Sequence, residues 1–392
     1  MPNNTTRAMR WGVPVAVVAV IGGALAAGPV IAAVQGDPTL PERTAAQLLA
    51  EAARNAQRAG PPVMSGTVVA TASLGLPTLP LPGGTSSSPM ALLSGSHTLK
   101  VWYGGDDRLR LALPGSMSET DFISDGKGHA WLWSSDSNTA TRYTLSKSGT
   151  HGRPSAPPTS LTALTPDALA AQALKAAEDG GTAVSVAPAQ QVAGRAAYQL
   201  VLTPKQPASL VKEIRLALDG EKFIPLRVQV YAKGTAEPAI EVGFTQVVFT
   251  APAAENFAFT PPPGAKVEDK SLGEAAPPAG GPWSGAPGGH SGPPASAGKL
   301  RTFGSGWATV AEVPLSAADL GKPSGGESRR PGAADPAAAL ETLLKSGKPV
   351  SGPWGSGRVI QTKLVSVLIT DDGRLLAGAV TPQALTEAAG HK

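Results

Sequence analysis

Side chains able to do chemistry are few in this chain and widely dispersed. The five histidines, His97, His129, His151, His290 and His391, lie far apart, and no His-Glu-x-x-His spacing sets two of them on one helix face to hold zinc. Cysteine is absent, which excludes disulfides, thiolate metal sites, a cysteine nucleophile and the cysteine that would carry the lipid of a bacterial lipoprotein. Gly289-His290-Ser291-Gly292 lacks the full pattern of a nucleophile elbow and lies among prolines and glycines rather than between a strand and a helix. Asp106-Asp107 and Asp371-Asp372 adjoin glycines and suit turns, where aspartate bonds back to nearby amides. Two carboxylates across a cleft could hydrolyse a glycoside, but no spacing selects such a pair. No glycine-rich stretch leads into Lys-Ser/Thr as a phosphate loop does. The expectation is a protein that is not an enzyme, with no catalytic residue, metal or cofactor.

The chain does concentrate apolar side chains on strands. Trp102, Trp131 and Trp133, with Phe122, Leu109 and Leu111, fall in a run of four or five short strands from His97 to Leu145. Leu99, Val101 and Tyr103 alternate with Lys100 and Trp102, and Leu109, Leu111 and Leu113 with Arg108 and Arg110, the period of two that marks a sheet. Such aromatic residues either pack as ordinary core or line a ligand cavity. A one-residue slip of register exchanges the faces.

The elements that must position them follow from the same periodicity. Ala196 to Pro263 holds four amphipathic strands. Ile214, Leu216 and Leu218 oppose Glu213, Arg215 and Asp219; Leu226, Val228 and Val230 oppose Arg227 and Gln229; Ile240, Val242 and Phe244 oppose Glu241 and Thr245. Asp219-Gly220 suggests a hairpin turn with positive φ at the glycine. Val247-Val248-Phe249 breaks the alternation and predicts a bulge or a strand end buried on both sides. The spacing leaves no room for crossover helices, so the sheet should be antiparallel. Thr44 to Gln57 reads as an amphipathic helix ending before Gly60-Pro61-Pro62, Val63 to Leu74 as a strand, and Thr165 to Asp179 as a second helix capped by Thr165-Pro166.

The order Tyr198-Gln199-Leu200-Val201-Leu202-Thr203-Pro204, then Phe223-Ile224-Pro225-Leu226-Arg227, then Phe257-Ala258-Phe259-Thr260-Pro261-Pro262-Pro263-Gly264-Ala265 resembles the LolA-like superfamily of lipoprotein carriers. That superfamily includes RseB-type regulators and mycobacterial lipid-binding lipoproteins, and the resemblance runs from Pro41 to about Val267. It implies an α+β fold in which a strongly curved antiparallel sheet, an unclosed β-barrel, wraps over helices around an apolar cavity. The cavity would hold lipid acyl chains or acylated lipoproteins, and Trp102, Leu109, Leu111, Phe122, Trp131, Trp133, Leu216 and Val228 would be its candidate lining. An RseB-like protein would instead act through an anti-sigma factor or another envelope protein partner.

The remainder of the chain sets the location. Arg7 and Arg10 precede Trp11 to Val34, a run of 24 residues without a charge. That is longer than the roughly 20 needed to cross a bilayer as a helix, and the arginines favour a cytoplasmic N-terminus. Residues 1–35 are therefore a signal peptide or an uncleaved transmembrane anchor, with the body outside the cytoplasm, membrane-tethered or secreted. The net charge of +4 comes from 33 basic and 29 acidic residues without a long run, which gives nucleic acid no footprint. Few aromatics, 46 Gly and 38 Pro are the composition expected of a high-GC genome such as an actinobacterial one. Pro77 to Ser88 reads as a loop and residues 268–298 as a Pro/Gly-rich linker. Residues 299–392 read as a small α+β unit with strands over Val359 to Ile369 and Leu375 to Val380, a helix near Ala337 to Lys345 and another from Pro382 to Ala389. So flexible a linker argues against fixed coupling of the two bodies.

Overall fold

The structure is a computed structural model, and it describes residues 38–58, 62–75, 92, 94–144, 179–271, 300–314 and 346–391. Helix α1 (Ala45–Arg58) opens the described chain. The Thr44 hydroxyl accepts from the Gln47 amide at 3.2 Å while the Gln47 side chain accepts from the Thr44 amide at 2.9 Å. This reciprocal pair satisfies two donors that a helix start leaves free.

Twelve strands follow: β1 (Met64–Ser73), β2 (Ser94–Gly105), β3 (Arg108–Pro114), β4 (Glu119–Asp125), β5 (His129–Ser134), β6 (Thr139–Thr144), β7 (Thr182–Val192), β8 (Arg195–Pro204), β9 (Val211–Asp219), β10 (Pro225–Ala232), β11 (Pro238–Val248) and β12 (Lys266–Ser271). They form one curved, unclosed sheet in the order β12-β6-β5-β4-β3-β2-β1-β11-β10-β9-β8-β7. Strand β1 lies in the middle, paired with β2 on one side and β11 on the other, and so joins the two meanders that the alternation predicts. Leu200, Leu216, Val228, Val242 and Ala70 stand in one row across β8, β9, β10, β11 and β1. Directly paired residues share a face, so this row defines the face on which Leu48 of α1 is buried among Leu200, Leu202, Ile214, Leu216 and Val228.

A second sheet has the order β13 (Arg301–Phe303), β14 (Val310–Pro314), β18 (Arg374–Gly378), β17 (Ser366–Thr370), β16 (Gly355–Gln361), β15 (Lys348–Gly352). Helix α2 (Pro382–Ala389) packs on it, buries Leu385, Ala388 and Ala389, and is capped by the Thr381 hydroxyl with Pro382 in the first turn. This sheet is bonded to the first. The Leu210 amide donates to the Ala379 carbonyl at 2.8 Å, the Thr381 amide to Ala208 at 2.8 Å and the Lys363 amide to Leu74 at 2.8 Å. Trp307 Nε1 donates to the Thr182 hydroxyl at 2.8 Å.

Several sequence expectations change. The two bodies are in direct contact, because Leu364, Trp307, Val365 and Ala379 pack into the cluster around Leu48 and give the junction an apolar content that the connecting segment lacks. The sheet is antiparallel except at β12, which pairs parallel to β6 and lies where the linker was expected to begin. Gly220 does not supply the positive φ between β9 and β10; Phe223 does, at 53°. Gly220 is glycine because a Cβ there would lie 2.7 Å from Leu40 Cδ2 and 3.0 Å from the Ala196 carbonyl oxygen. The irregularity of β11 falls opposite Thr67 and Val68, ahead of Val247. The C-terminal region carries more strands than expected, since residues 362–365 interrupt the stretch from Val359 to Ile369. Residues 1–35, the loop over 77–88, the helix near 337–345, residues 272–298 of the linker and all but Asp179 of the helix over 165–179 lie outside the described residues.

Candidate functional site

The first sheet has two halves that differ in how their α1 face is covered. In the β7 to β11 half the centre of the face is packed: Leu200, Leu202, Ile214, Leu216, Leu218 and Val228 are each at most 5% exposed, while Val186 at the β7 edge is 41% exposed. Leu48 from α1 and Leu364 from the second sheet fill it. Leu216 and Val228, both candidates for the cavity lining, are thus packed core.

In the β2 to β6 half the same face can be followed by register. Gly66 shares a face with Ala70 and pairs with Val101; Val101 pairs with Leu111, Leu111 with Phe122, Phe122 with Leu132 and Leu132 with Thr141. A neighbouring row runs through Tyr103, Leu109, Ser124, Ala130 and Tyr143. Leu109, Leu111, Phe122, Leu132, Tyr103 and Tyr143 are only half-buried. Toward one end Leu99 and Leu113 are buried with Leu92 and Leu111 packed on them. The result is an apolar stripe across five strands, continuous with the filled half yet incompletely covered. Such a surface can take a linear hydrocarbon, because each buried methylene is worth about 0.8 kcal/mol without any directional partner.

The three tryptophans take the other face. Trp102, Arg110, Ile123, Trp131 and Arg142 form one row, and Lys100, Ala112, Asp121, Trp133 and Ala140 the next. The chain after β11 crosses this face, with a short 3₁₀ turn at Ala254–Phe257 in which Phe257 is buried. Phe259 lies 5.4 Å from the Trp131 ring and 6.0 Å from Trp133, centroid to centroid. Arg110 stacks over Trp102 at 5.4 Å, Arg142 over Trp131 at 5.7 Å and Arg108 over Phe257 at 5.7 Å. Cation and ring packing of this kind occupies the aromatic faces. A hollow of about 190 Å³ beside Trp102, edged by Ser65, Thr67, Lys100, Gln246 and Val248, is smaller than the 300–1,000 Å³ usual for ligand pockets.

Charge on the tryptophan face centres on Asp121. It is 2% exposed and forms an ion pair with Arg110. Burial first, and then the neighbouring Glu119 carboxyl, push its pKa up to about 7, against the opposing pull of Arg110. Among the described residues no cluster of His, Asp or Glu could hold a metal ion. His97 lies on the α1 face with its Nε2 2.7 Å from the Ser94 carbonyl oxygen, His129 is exposed at the start of β5, and His391 stacks on Phe303 at 6.1 Å. His151 and His290 lie outside the described residues.

The structure therefore brings Leu109, Leu111 and Phe122 together, separates them from Trp102, Trp131 and Trp133 by the thickness of the sheet, and encloses Leu216 and Val228. Tyr103, Leu132 and Tyr143 share the face of Leu109, Leu111 and Phe122 and were not among the sequence candidates. Leu132 was readable in principle, because it alternates with Trp131 and Trp133.

No protein-family model matches this chain, and no curated protein does. Solved structures do resemble it. In the Pseudomonas aeruginosa MucA/MucB complex the matching chain is 16% identical, over 88% of this chain and 96% of that one, with a TM-score of 0.38. LprF from Mycobacterium bovis is 12% identical over 56% of this chain and 99% of its own, with a TM-score of 0.27. The LolA superfamily protein NE2245 from Nitrosomonas europaea is 12% identical over 56% and 99%, with a TM-score of 0.21.

Proposed function

We propose that this chain is an extracytoplasmic binding protein of the cell envelope that takes an acyl chain, from a lipid or a lipidated protein, on the α1 face of the β2 to β6 half. One observation carries the reading: Leu109, Leu111, Phe122 and Leu132 form a half-buried apolar stripe on the face whose other half holds the packed cluster around Leu48. Export is supported by the charge-free run from Trp11 to Val34 behind Arg7 and Arg10, which serves as a cleaved signal or as a tether. Among the described residues no helix is long and apolar enough to cross a membrane. The first body is taken to begin near residue 41 and to end with β12 rather than at residue 267, and the second to fall within residues 299–392.

A second reading, a regulator that acts on an envelope protein, is favoured by the junction between the sheets. Leu364 and Trp307 pack into the cluster around Leu48, so the β7 to β11 half of the sheet is coupled by packing to the second sheet. Native mass spectrometry of residues 36–392, exported in cells and purified without detergent, tests the first reading. Acyl lipid that co-purifies and is lost in Phe122→Asp supports it. Protein that emerges empty and takes up no added lipid overturns it, and a partner crosslinked to that empty protein in cells would then support the second.

A further inference from the structure

The β6 edge of the large sheet is covered by a strand that buries almost nothing. In β12, Lys266, Val267, Asp269 and Lys270 are exposed and Glu268 is half-buried; Val267, its one large apolar side chain, is 49% exposed. Its ion pairs lie at the surface: Arg142 Nε to Asp269 Oδ1 at 2.6 Å, Lys266 to Glu268 at 2.5 Å and Lys270 to Glu268 at 3.4 Å. Exposed pairs of this kind hold a strand weakly. The ladder to β6 is parallel, the slightly less stable arrangement per residue. Its start is clamped, where the Lys266 amide donates to the Asn138 carbonyl at 2.9 Å and Asn138 Nδ2 donates to the Gly264 carbonyl at 2.9 Å. The opposite edge differs, because Thr182 of β7 is 1% exposed and accepts from Trp307.

We propose that the β6 edge is a strand-docking site for an extended peptide of a partner protein that sets a carboxylate beside Arg142, and that β12 is its displaceable cover. The cover shows what fits: a segment running parallel to β6 from Thr139 to Thr144, bonded through its backbone, with a carboxylate beside Arg142. Arg142 is fixed for that contact by its stack on Trp131. Strand addition to a sheet edge takes its affinity from main-chain bonds and its selectivity from side chains such as this one. An edge left bare would pair indiscriminately, which gives a weak internal cover its use. The proposal is independent of acyl binding, since it concerns an edge rather than a face.

The test uses the protein with Val267→Pro and Glu268→Pro, adjacent changes that remove a ladder amide whichever of the two points at β6, and a fluorescent peptide of residues 265–271. Peptide anisotropy should saturate on this variant and require about tenfold more of the unaltered protein, whose tethered strand competes at millimolar effective concentration. A peptide with Asp269→Lys should bind the variant more weakly and regain affinity when the protein also carries Arg142→Glu. Absence of saturation, equal binding to both proteins, or failure of the charge exchange overturns the proposal. Native-state hydrogen exchange on the unaltered protein is the second measurement, independent of how the proline variant folds. Amides of β12 should exchange about a hundredfold faster than those of β5, as weakly packed segments do, and equal protection overturns the proposal.

Discussion

Leu364 of the second sheet and Leu48 of α1, 2% and 0% exposed, lie in one apolar cluster beneath β8, β9 and β10. They reach it from opposite ends of the chain. The turn that carries Leu364 is held by Thr362, whose hydroxyl accepts from the amides of Leu364 and Val365 at 3.3 and 2.9 Å. Beside it Lys363 donates from its backbone to Leu74 and from Nζ to the Ser73 hydroxyl at 2.8 Å. The turn is thus fixed on both sides of the leucine, and the two sheets share one core.

That sharing has a thermal consequence. Leu364→Ala removes a buried leucine from a site walled by both bodies, and changes of this type cost about 2–5 kcal/mol. The unaltered protein should melt in one transition, and the variant should melt lower, in a single shifted step or with the second sheet released first. An unshifted melting temperature in calorimetry would show that the junction contributes nothing.

Ligand retention should divide the sequence-nominated residues by face. Phe122→Asp and Leu132→Asp place charge on the half-buried stripe and should strip co-purifying acyl lipid with modest loss of stability. Trp133→Ala instead removes packing against Phe259 and should lower stability, by about 3–5 kcal/mol if the ring behaves as core, with lipid retained by whatever remains folded. Lipid loss in Trp133→Ala together with retention in Phe122→Asp, read by mass spectrometry, would move the site to the tryptophan face.

The β9 to β10 turn offers a local check on backbone reasoning. Gly220→Ala should destabilise the protein, because its Cβ would meet Leu40 and the Ala196 carbonyl oxygen. Gly234, also in a turn, has φ of 78° and open space around it. Alanine there should cost only the strain of a left-handed residue, about 1 kcal/mol. Denaturant melts of the two variants should separate them, and a larger loss at Gly234 would contradict the steric account.

How much of this was legible in the sequence depends on what kind of force fixed each part. Alternation such as Ile214-Arg215-Leu216 encodes which side chains share a face, so the strands of both meanders could be read. It does not encode which face of one meander continues the other. That depends on β1 pairing Val68 with both Phe244 and Leu99. Nor does alternation within one strand give the β4 to β5 register, which pairs Phe122 with Leu132 and Ile123 with Trp131 and so sets Trp131 on the face opposite to Phe122. Strand β12 reads as linker because a ladder needs only backbone and its side chains carry no apolar pattern. The junction was invisible because Leu364 is one apolar residue in a short turn.

Acid titration should report on the tryptophan face. Asp121 has an ordinary value of 3.8 that burial, with Glu119 beside it, raises to about 7 in the folded protein. Its surroundings are Arg110 from β3, Glu119 on its own strand, and Lys100 of β2 and Arg142 of β6 on the same face. Between those two pH values the folded chain binds a proton that the unfolded chain has released, so the slope of stability against pH is negative. The contribution is fully present below about pH 3.8 and is lost as the pH rises through about 7. Asp121→Asn keeps the shape, cannot ionise and should flatten this part of the curve, most visibly in the fluorescence of Trp131 and Trp133 beneath Phe259. A wild-type curve that rises with pH across this window, with the rise lost in Asp121→Asn, would show that the ion pair with Arg110 outweighs burial and that the carboxyl is ionised throughout.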